Sequence, residues 1–386
     1  MIWYGWLMFL IWLFAVVRVV PVIRHRHLEK LAGTKAPKEG FPKLSVILSA
    51  RDEELDIEQC LQSILSTRYP HLELITINDR STDRTGEIID RIAAQDSRVH
   101  PVHIETLPEG WLGKNHALHQ GARQAKGEIL LFTDGDIMFE PDCFSRAVNY
   151  VRASRVDHLC LFPGGMECPA LEGVFKAFFM FAYLLTIKFV EPVAGGKYHY
   201  FGMGAFNMVT REAYDAVGGF ATIRMDVVDD LQLGRLVKES GRRQEILFGI
   251  QSLALHWQRG LWACIKGLEK NLFAVFEYNW GLALTVMLGT VFVYLSGYIG
   301  LFLFPDPASY GFIGALVLMH GLFAYLASQY AGRGYHNVLL PLAVILEIFA
   351  MIRSSWKTWR QGGVYWRDTF YSLDTLKEAR YRSPAE

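Results

Sequence analysis

The sequence predicts an α/β protein: a Rossmann-like, mostly parallel sheet in one large domain, with transmembrane helices at its N- and C-terminal ends. Three observations predict it. Short apolar runs alternate with amphipathic helical stretches between residues 43 and 136, the pattern of parallel strands covered on both faces by crossover helices. Residues 1–17, 278–305 and 307–332 hold no Asp, Glu, Lys or Arg. The last two runs each exceed the ~20 apolar residues that cross a bilayer, and the first is near the lower limit. Finally, the apolar run "EILLFT" ends abruptly in Asp134-Gly135-Asp136, two carboxylates that repel each other where such a sheet binds its ligands.

The elements follow in order. "MIWYGWLMFLIWLFAVV" begins uncharged, whereas a signal peptide has a basic start and a small-residue cleavage site. Pro21 and the basic group Arg24, His25, Arg26, His27 and Lys30 follow it. Basic flanks stay on the cytoplasmic side, so residues 1–21 read as a retained anchor and 22–43 as a basic juxtamembrane linker. The "HRH" triplet then lies against anionic lipid rather than on a metal. The protein is expected in the cell (inner) membrane, multi-pass, with residues 44–255 in the cytoplasm. Five cysteines without CxxC spacing, Cys60, Cys143, Cys160, Cys168 and Cys264, are expected as free thiols there. Lys+Arg and Asp+Glu balance at 39 each, and no basic excess points to nucleic acid.

Strands are expected at 43–50, 72–79, 98–105 and 128–136, with helices near 54–66, 84–95 and 114–126 between them. Asp79 and Asp134 both end strands, so they should meet at one crevice. No strand–GxGxxG–helix unit is present, and Gly113-Lys114 fails as a phosphate loop because Pro108 and Asn115 occupy two of its required positions. The strongly apolar run 171–190 contains Lys176 and Lys188. A buried core helix and a helix partly in the membrane interface both fit it, and the interface is favoured. Residues 256–280 mix Trp, Lys and Leu in the same way and are expected as interfacial helices.

Two acidic clusters carry the chemistry. Asp134-Gly135-Asp136 could be a turn cap, but after a buried strand a hard cation relieves its repulsion. Mg²⁺ or Mn²⁺, held by one or two carboxylates and substrate phosphates, fits; an EF-hand does not, since Met138 stands at a ligand position. Asp229-Asp230 opens an amphipathic helical pattern, where the helix dipole alone favours acids; a carboxylate there could also serve as general base. Asp79 could begin a turn or, with "LSARDEE", help to read a nucleobase.

The ordered set "SARDEE", "NDRSTDRT", "GWLGKNHALHQGARQAKGEILLFTDGD", "GMGAFNMVTREAYDAVGGF" and "DDLQLGRLVKESG" resembles family-2 glycosyltransferases over roughly residues 44–245. "WLGK" and the terminal "GGVYWRDTFY" look like the membrane-bound branch that includes hopanoid-associated, carotenoid-type and ceramide glycosyltransferases. The resemblance implies a GT-A catalytic domain over 44–255, a nucleotide-diphosphate sugar donor, a divalent metal and inversion at the anomeric carbon. It implies that Ala50, Arg51 and Asp79 line a uridine pocket, that Asp134 contacts the ribose or sugar, and that Asp136, with Asp134, serves the metal. Lys114 would lie near the donor. Gly218, Gly219 and Phe220 would shape the acceptor side, and Asp230 would be the general base, with Asp229 as its neighbour. The sequence departs from the family in Asn78, in Asp229 where Glu is frequent, and in "QRGLW", where Leu261 replaces the arginine of QxxRW. Gln258, Arg259 and Trp262 are then either acceptor-side residues or an interfacial anchor.

Toward the C-terminus, crossings are expected at about 282–304 and 309–328, within a membrane region of 281–352. The run 336–352 contains Pro341 and Glu347 and leads into a basic, aromatic tail at 353–386 with Arg353, Lys357, Arg360 and Arg367. A full crossing would carry that tail outside, against the charge bias, so a re-entrant or interfacial run is expected. The reading that results is a metal-dependent hexosyltransferase acting on a lipid hydroxyl dissolved in the bilayer. Its alternative is a processive polysaccharide synthase, against which the altered QxxRW and the few crossings argue. A channel or transporter is disfavoured because its charge-free runs hold only His320, and a catalytically dead binding module because both acidic clusters are intact.

Overall fold

The computed structural model describes residues 2–37, 39–165, 168–186, 200–255, 257–304, 308–330, 334–366 and 369–380. They fall into two compact units. An α/β unit comprises residues 26–165, 191–256 and 379–386, and a helical unit comprises 1–25, 166–190 and 257–378.

The α/β unit is built on eight strands: β1 Leu44–Ala50, β2 Leu72–Asp79, β3 Val99–Ile104, β4 Ile129–Asp134, β5 Ile137–Phe139, β6 His158–Gly165, β7 Asn207–Thr210 and β8 Gln244–Leu255. Their order is β3-β2-β1-β4-β7-β6-β8-β5. The pairs β1–β2, β1–β4, β2–β3 and β6–β8 are parallel, and β4–β7, β6–β7 and β5–β8 are antiparallel. The sequence period of two decides the two cores. Leu44, Val46 and Leu48 of β1, with Leu72, Leu74, Ile129 and Leu131, pack on one face against the helices Ile57–Leu65, Thr85–Ala93 and Cys143–Ser154. Ile47, with Ile75, Ile77, Leu130 and Phe132, packs on the other face against Gly113–Gln124, Arg211–Ala216 and Asp229–Glu239. Burial on both faces is why these strands read as continuous apolar runs.

Strand β1 has β2 on one side and β4 on the other, which makes it the point where strand order reverses and a crevice opens. In register, Ala50 stands opposite Asn78 and Ser49 opposite Asp134. The carboxyl ends of β1, β2 and β4 therefore meet, as the sequence predicts.

Among the described residues of the helical unit, four helices are long and apolar enough to cross a membrane: Trp3–His25, Trp280–Leu303, Ser309–Ser328 and Asn337–Arg360. The first and third pack through glycine. A Cβ on Gly311 would come within 2.4 Å of the Gly5 carbonyl carbon, and one on Gly314 within 2.7 Å of the Phe9 ring, the close approach that small residues allow between apolar helices. The second is widened by a π-helical stretch, Val291–Leu295.

One expectation is corrected here. A re-entrant run needs a reversal, whereas Leu340–Arg360 is one unbroken helix with Pro341 in its first turn, where the missing N–H costs nothing. Residues 171–186 lie in the helix Ala170–Thr186, which buries Val174, Phe175, Phe178, Phe181 and Leu184, and Lys188 lies outside the described residues. Lys176 is tolerated there because its Nζ donates to Glu172 Oε1 at 2.6 Å and to the Gln258 carbonyl at 2.7 Å. Glu172 Oε2 in turn accepts from the Gly260 N–H at 2.9 Å.

Candidate active site

Four side chains from three elements gather at the end of β4. Asp134 is the last residue of β4, Lys114 lies in the first turn of Gly113–Gln124, and Asp229 and Asp230 open Asp229–Glu239. Lys114 Nζ stands 2.8 Å from Asp134 Oδ1 and 3.5 Å from Asp229 Oδ2. Burial pulls the Lys114 ammonium down, but the charges of Asp134, Asp229 and Asp230 outweigh it and hold its pKa above the ordinary value. Asp230 Oδ2 accepts from the Gly204 N–H at 2.7 Å and Oδ1 from the Leu231 N–H at 2.8 Å. Gly204 marks the centre of the group: a Cβ there would lie 3.0 Å from Asp134 Oδ2, 3.6 Å from Asp230 Oδ2 and 3.7 Å from Lys114 Nζ.

Asp136 is two residues further on. Burial, then the charges of Asp134, Glu53 and Asp56, push its carboxyl up to about 7. Such crowding is what a divalent cation relieves, and Asp134 and Asp136 could hold one. Among the described residues no group of three or more His, Cys, Asp or Glu is poised around a metal.

The ends of β1 and β2 are more tightly tied together than the sequence suggests. Arg80, in a left-handed conformation, donates from Nε and Nη2 to the two oxygens of Asp79, at 2.7 and 3.2 Å. Gly113 lets the adjoining helix begin directly on this pair, since a Cβ there would meet Arg80 at 2.5 Å and Asp79 at 2.7 Å. Ala50 and Arg51 are both buried next to it. The loops after β1 and β2 are zipped together. Thr82 N–H donates to Asp52 Oδ1 at 2.7 Å, Glu53 N–H to Thr85 Oγ1 at 2.8 Å and Glu54 N–H to Asp83 Oδ2 at 3.0 Å.

Phe220, expected with Gly218 and Gly219 to shape the acceptor side, is 1% exposed and packs edge-to-face on Phe132 within the core. Gly218 and Gly219 both have positive φ, and a Cβ on Gly219 would overlap the Tyr214 ring at 2.1 Å. Further along the chain, the Ile223 and Asp226 carbonyls accept from Asn115 Nδ2, next to Lys114, at 2.8 and 2.9 Å. Gln258 and Trp262 belong to the helical unit. Trp262 is half-exposed there, with the Arg353 guanidinium 4.7 Å from its ring. Sequence reasoning missed Glu53 beside Asp136 and the glycines Gly202 and Gly204. Their signal was the "GMG" spacing, whose tightness shows only against the helix that it meets.

A mostly parallel sheet with a lysine and four aspartates gathered at its switch point defines a GT-A-type domain. Residues 45–232 match the model of glycosyl transferase family 2, and this segment is a family-2 glycosyltransferase domain. The chain is similar to the 4,4'-diaponeurosporenoate glycosyltransferase of Staphylococcus aureus strain N315. The two are 24% identical over 361 residues, covering 91% of this chain and 93% of that protein. The fold resembles that of a mannosyltransferase from Pyrobaculum calidifontis solved in complex with GDP-Man and Mn²⁺. The TM-score is 0.54 at 18% identity, over 90% of this chain and 98% of the other. The chain thus carries a family-2 glycosyltransferase domain and, among the described residues, four helices of membrane-crossing length.

Proposed function

We propose that the chain is an inverting glycosyltransferase that moves a sugar from a nucleotide-diphosphate donor, a UDP-sugar as first choice, to a lipid hydroxyl at the cytoplasmic membrane face. The observation that carries this reading is the convergence of Lys114, Asp134 and Asp230 around Gly204, in a chain that also holds four helices able to cross a bilayer. Ala50, Arg51 and Asp79 line the nucleoside pocket, Asp134 contacts the ribose or sugar, and Lys114 lies near the donor. Asp136, with Asp134, holds Mg²⁺ or Mn²⁺, which when bound neutralises charge on the departing diphosphate. Asp230, oriented by the Gly204 N–H, takes the acceptor proton as that oxygen attacks opposite the leaving group. Asp229 keeps Lys114 in place. Gly218 and Gly219 shape the acceptor side indirectly.

A second reading rests on the name of the relative, which denotes a carboxylate acceptor. An apolar carboxylate arrives without a proton to remove, so it needs no base. The test is nucleotide release by the full chain in lipid nanodiscs, across a panel of UDP- and GDP-sugars. It is run with Mg²⁺, Mn²⁺ or EDTA, with and without extracted membrane lipid, beside Asp136→Ala and Asp230→Ala. Lipid-dependent release abolished by EDTA and by both substitutions supports transfer to a hydroxyl. Loss only in Asp136→Ala favours the carboxylate. Lipid-independent release that yields long glycans refutes both and returns the polysaccharide synthase.

A further inference from the structure

Residues 201–207 form a strap over the first turns of the helix Asp229–Glu239, and the strap is tight. A Cβ on Gly202 would lie 1.9 Å from the Asp230 carbonyl oxygen, and one on Gly234 would lie 1.8 Å from the Phe201 carbonyl oxygen. Its middle amide, Gly204 N–H, is the donor that orients the Asp230 carboxylate, at 2.7 Å.

Behind the strap lies a buried polar cluster that the reaction does not itself require. His158, Asn207 and Gln244 are the first residues of β6, β7 and β8, and all three are almost wholly buried. Gln244 Nε2 lies 2.6 Å from His158 Nδ1. An amide nitrogen can only donate, so Nδ1 accepts and Nε2 carries the proton toward Asn207 Oδ1, with which it is hydrogen-bonded. The other ends of both amides hold the strap and the helix. Gln244 Oε1 accepts from Phe201 N–H at 3.2 Å, and its Nε2 also faces the Phe201 and Gly234 carbonyls at 2.9 and 3.1 Å. Asn207 Nδ2 donates to the Asp230 carbonyl at 3.3 Å. Thr133 Oγ1, from β4, donates to the Ala205 carbonyl at 2.8 Å.

We infer that His158 is a positioning residue: by orienting Asn207 and Gln244 it fixes the strap 201–207, and through the Gly204 N–H it sets the direction of the Asp230 carboxylate. If the site needed only filling, an apolar side chain of the same shape would serve as well. A satisfied polar network instead specifies one geometry. Burial keeps the imidazole neutral, with its pKa pushed down to about 4, so the donor and acceptor roles of the ring persist across the neutral range. The link to catalysis rests on Asp230 as the base; the hold on the strap does not.

The test uses the full chain in nanodiscs with the nucleotide sugar found active, UDP and GDP as binding probes, and amide hydrogen exchange of residues 201–207. His158→Phe removes both hydrogen bonds, His158→Gln can restore both, Gln244→Met cuts the network from the other side, and Asp230→Ala is the reference. The expected result for His158→Phe is faster exchange at Gly204 and kcat reduced about tenfold or more, with donor KM and nucleotide Kd within about twofold. His158→Gln should recover both readouts. Unchanged exchange in a folded His158→Phe overturns the inference, and so does an equal loss of kcat and nucleotide affinity without rescue by glutamine. Should His158→Phe not fold, Gln244→Met decides on the same readouts. Faster exchange in a background where Asp230→Ala remains active supports the hold on the strap and refutes Asp230 as base.

Discussion

Replacing Lys114 by glutamine removes the ammonium that lies 2.8 Å from Asp134 and 3.5 Å from Asp229. At an effective dielectric near 20 the two gross attractions are about 6 and about 5 kcal/mol. Most of that is offset by desolvation, and removing one partner of a fully buried pair has a net cost of about 3–5 kcal/mol. Here Lys114 is 22% and Asp134 39% exposed, so water screens part of the loss and about 2 kcal/mol is expected. In a domain of this size that lowers Tm by about 4–8 °C. The same energy withheld from the reacting complex lowers kcat/KM by roughly 30-fold. The assay is thermal unfolding and nucleotide release in nanodiscs, beside Lys114→Arg, which keeps the charge and should recover most of the stability. Mn²⁺ should raise the Tm of Lys114→Gln more than that of the native chain, because the acids left without their lysine gain more from a cation. A glutamine variant within about 1 °C in Tm and within threefold in activity would refute the electrostatic account of the site.

Further outcomes follow from single contacts. Gly202→Ala drives a methyl into the Asp230 carbonyl, 1.9 Å away and backbone on both sides; activity should fall at least about 100-fold, while Gly33→Ala, in open space and without a positive φ, retains it. The neutral, buried His158 depresses its pKa to about 4, so its contribution is complete above the unfolded value near 6.5 and is lost as pH falls toward 4. Over that window about 3 kcal/mol of stability should vanish, and His158→Gln should flatten that part of the unfolding profile. Lys176→Met leaves Glu172 buried without its ammonium partner and should destabilise the helical unit by about 3 kcal/mol, read as earlier unfolding at unchanged nucleotide affinity.

Much of this protein was determined by sequence alone, wherever a local rule operates. Two-sided burial forces parallel strands to be continuously apolar, which is why β1, β2 and β4 and their polar ends are legible. The thickness of a bilayer demands long uncharged helices, so the runs 1–17, 278–305 and 307–332 could be read directly. The paired acids at 134–136 and 229–230 stand out because like charges so close together need a reason.

Other features depend on residues far apart in the chain. Lys176 made the helix Ala170–Thr186 look interfacial, since nothing in composition shows that Glu172 and the Gln258 carbonyl satisfy it inside a core. The run 336–352 was expected to be re-entrant or interfacial because a full crossing would carry its basic tail outside, and only the structure shows Leu340–Arg360 as one helix. That Phe220 packs in the core against Phe132 and Tyr214 shows only once distant strands come together. The strap 201–207 and its support at His158 are the clearest case, joining residues up to 86 positions apart. Periodicity carries only what neighbours along the chain impose, and the closeness of Gly204, Asp134, Lys114 and Asp230 arises only when the strands take their order in the sheet.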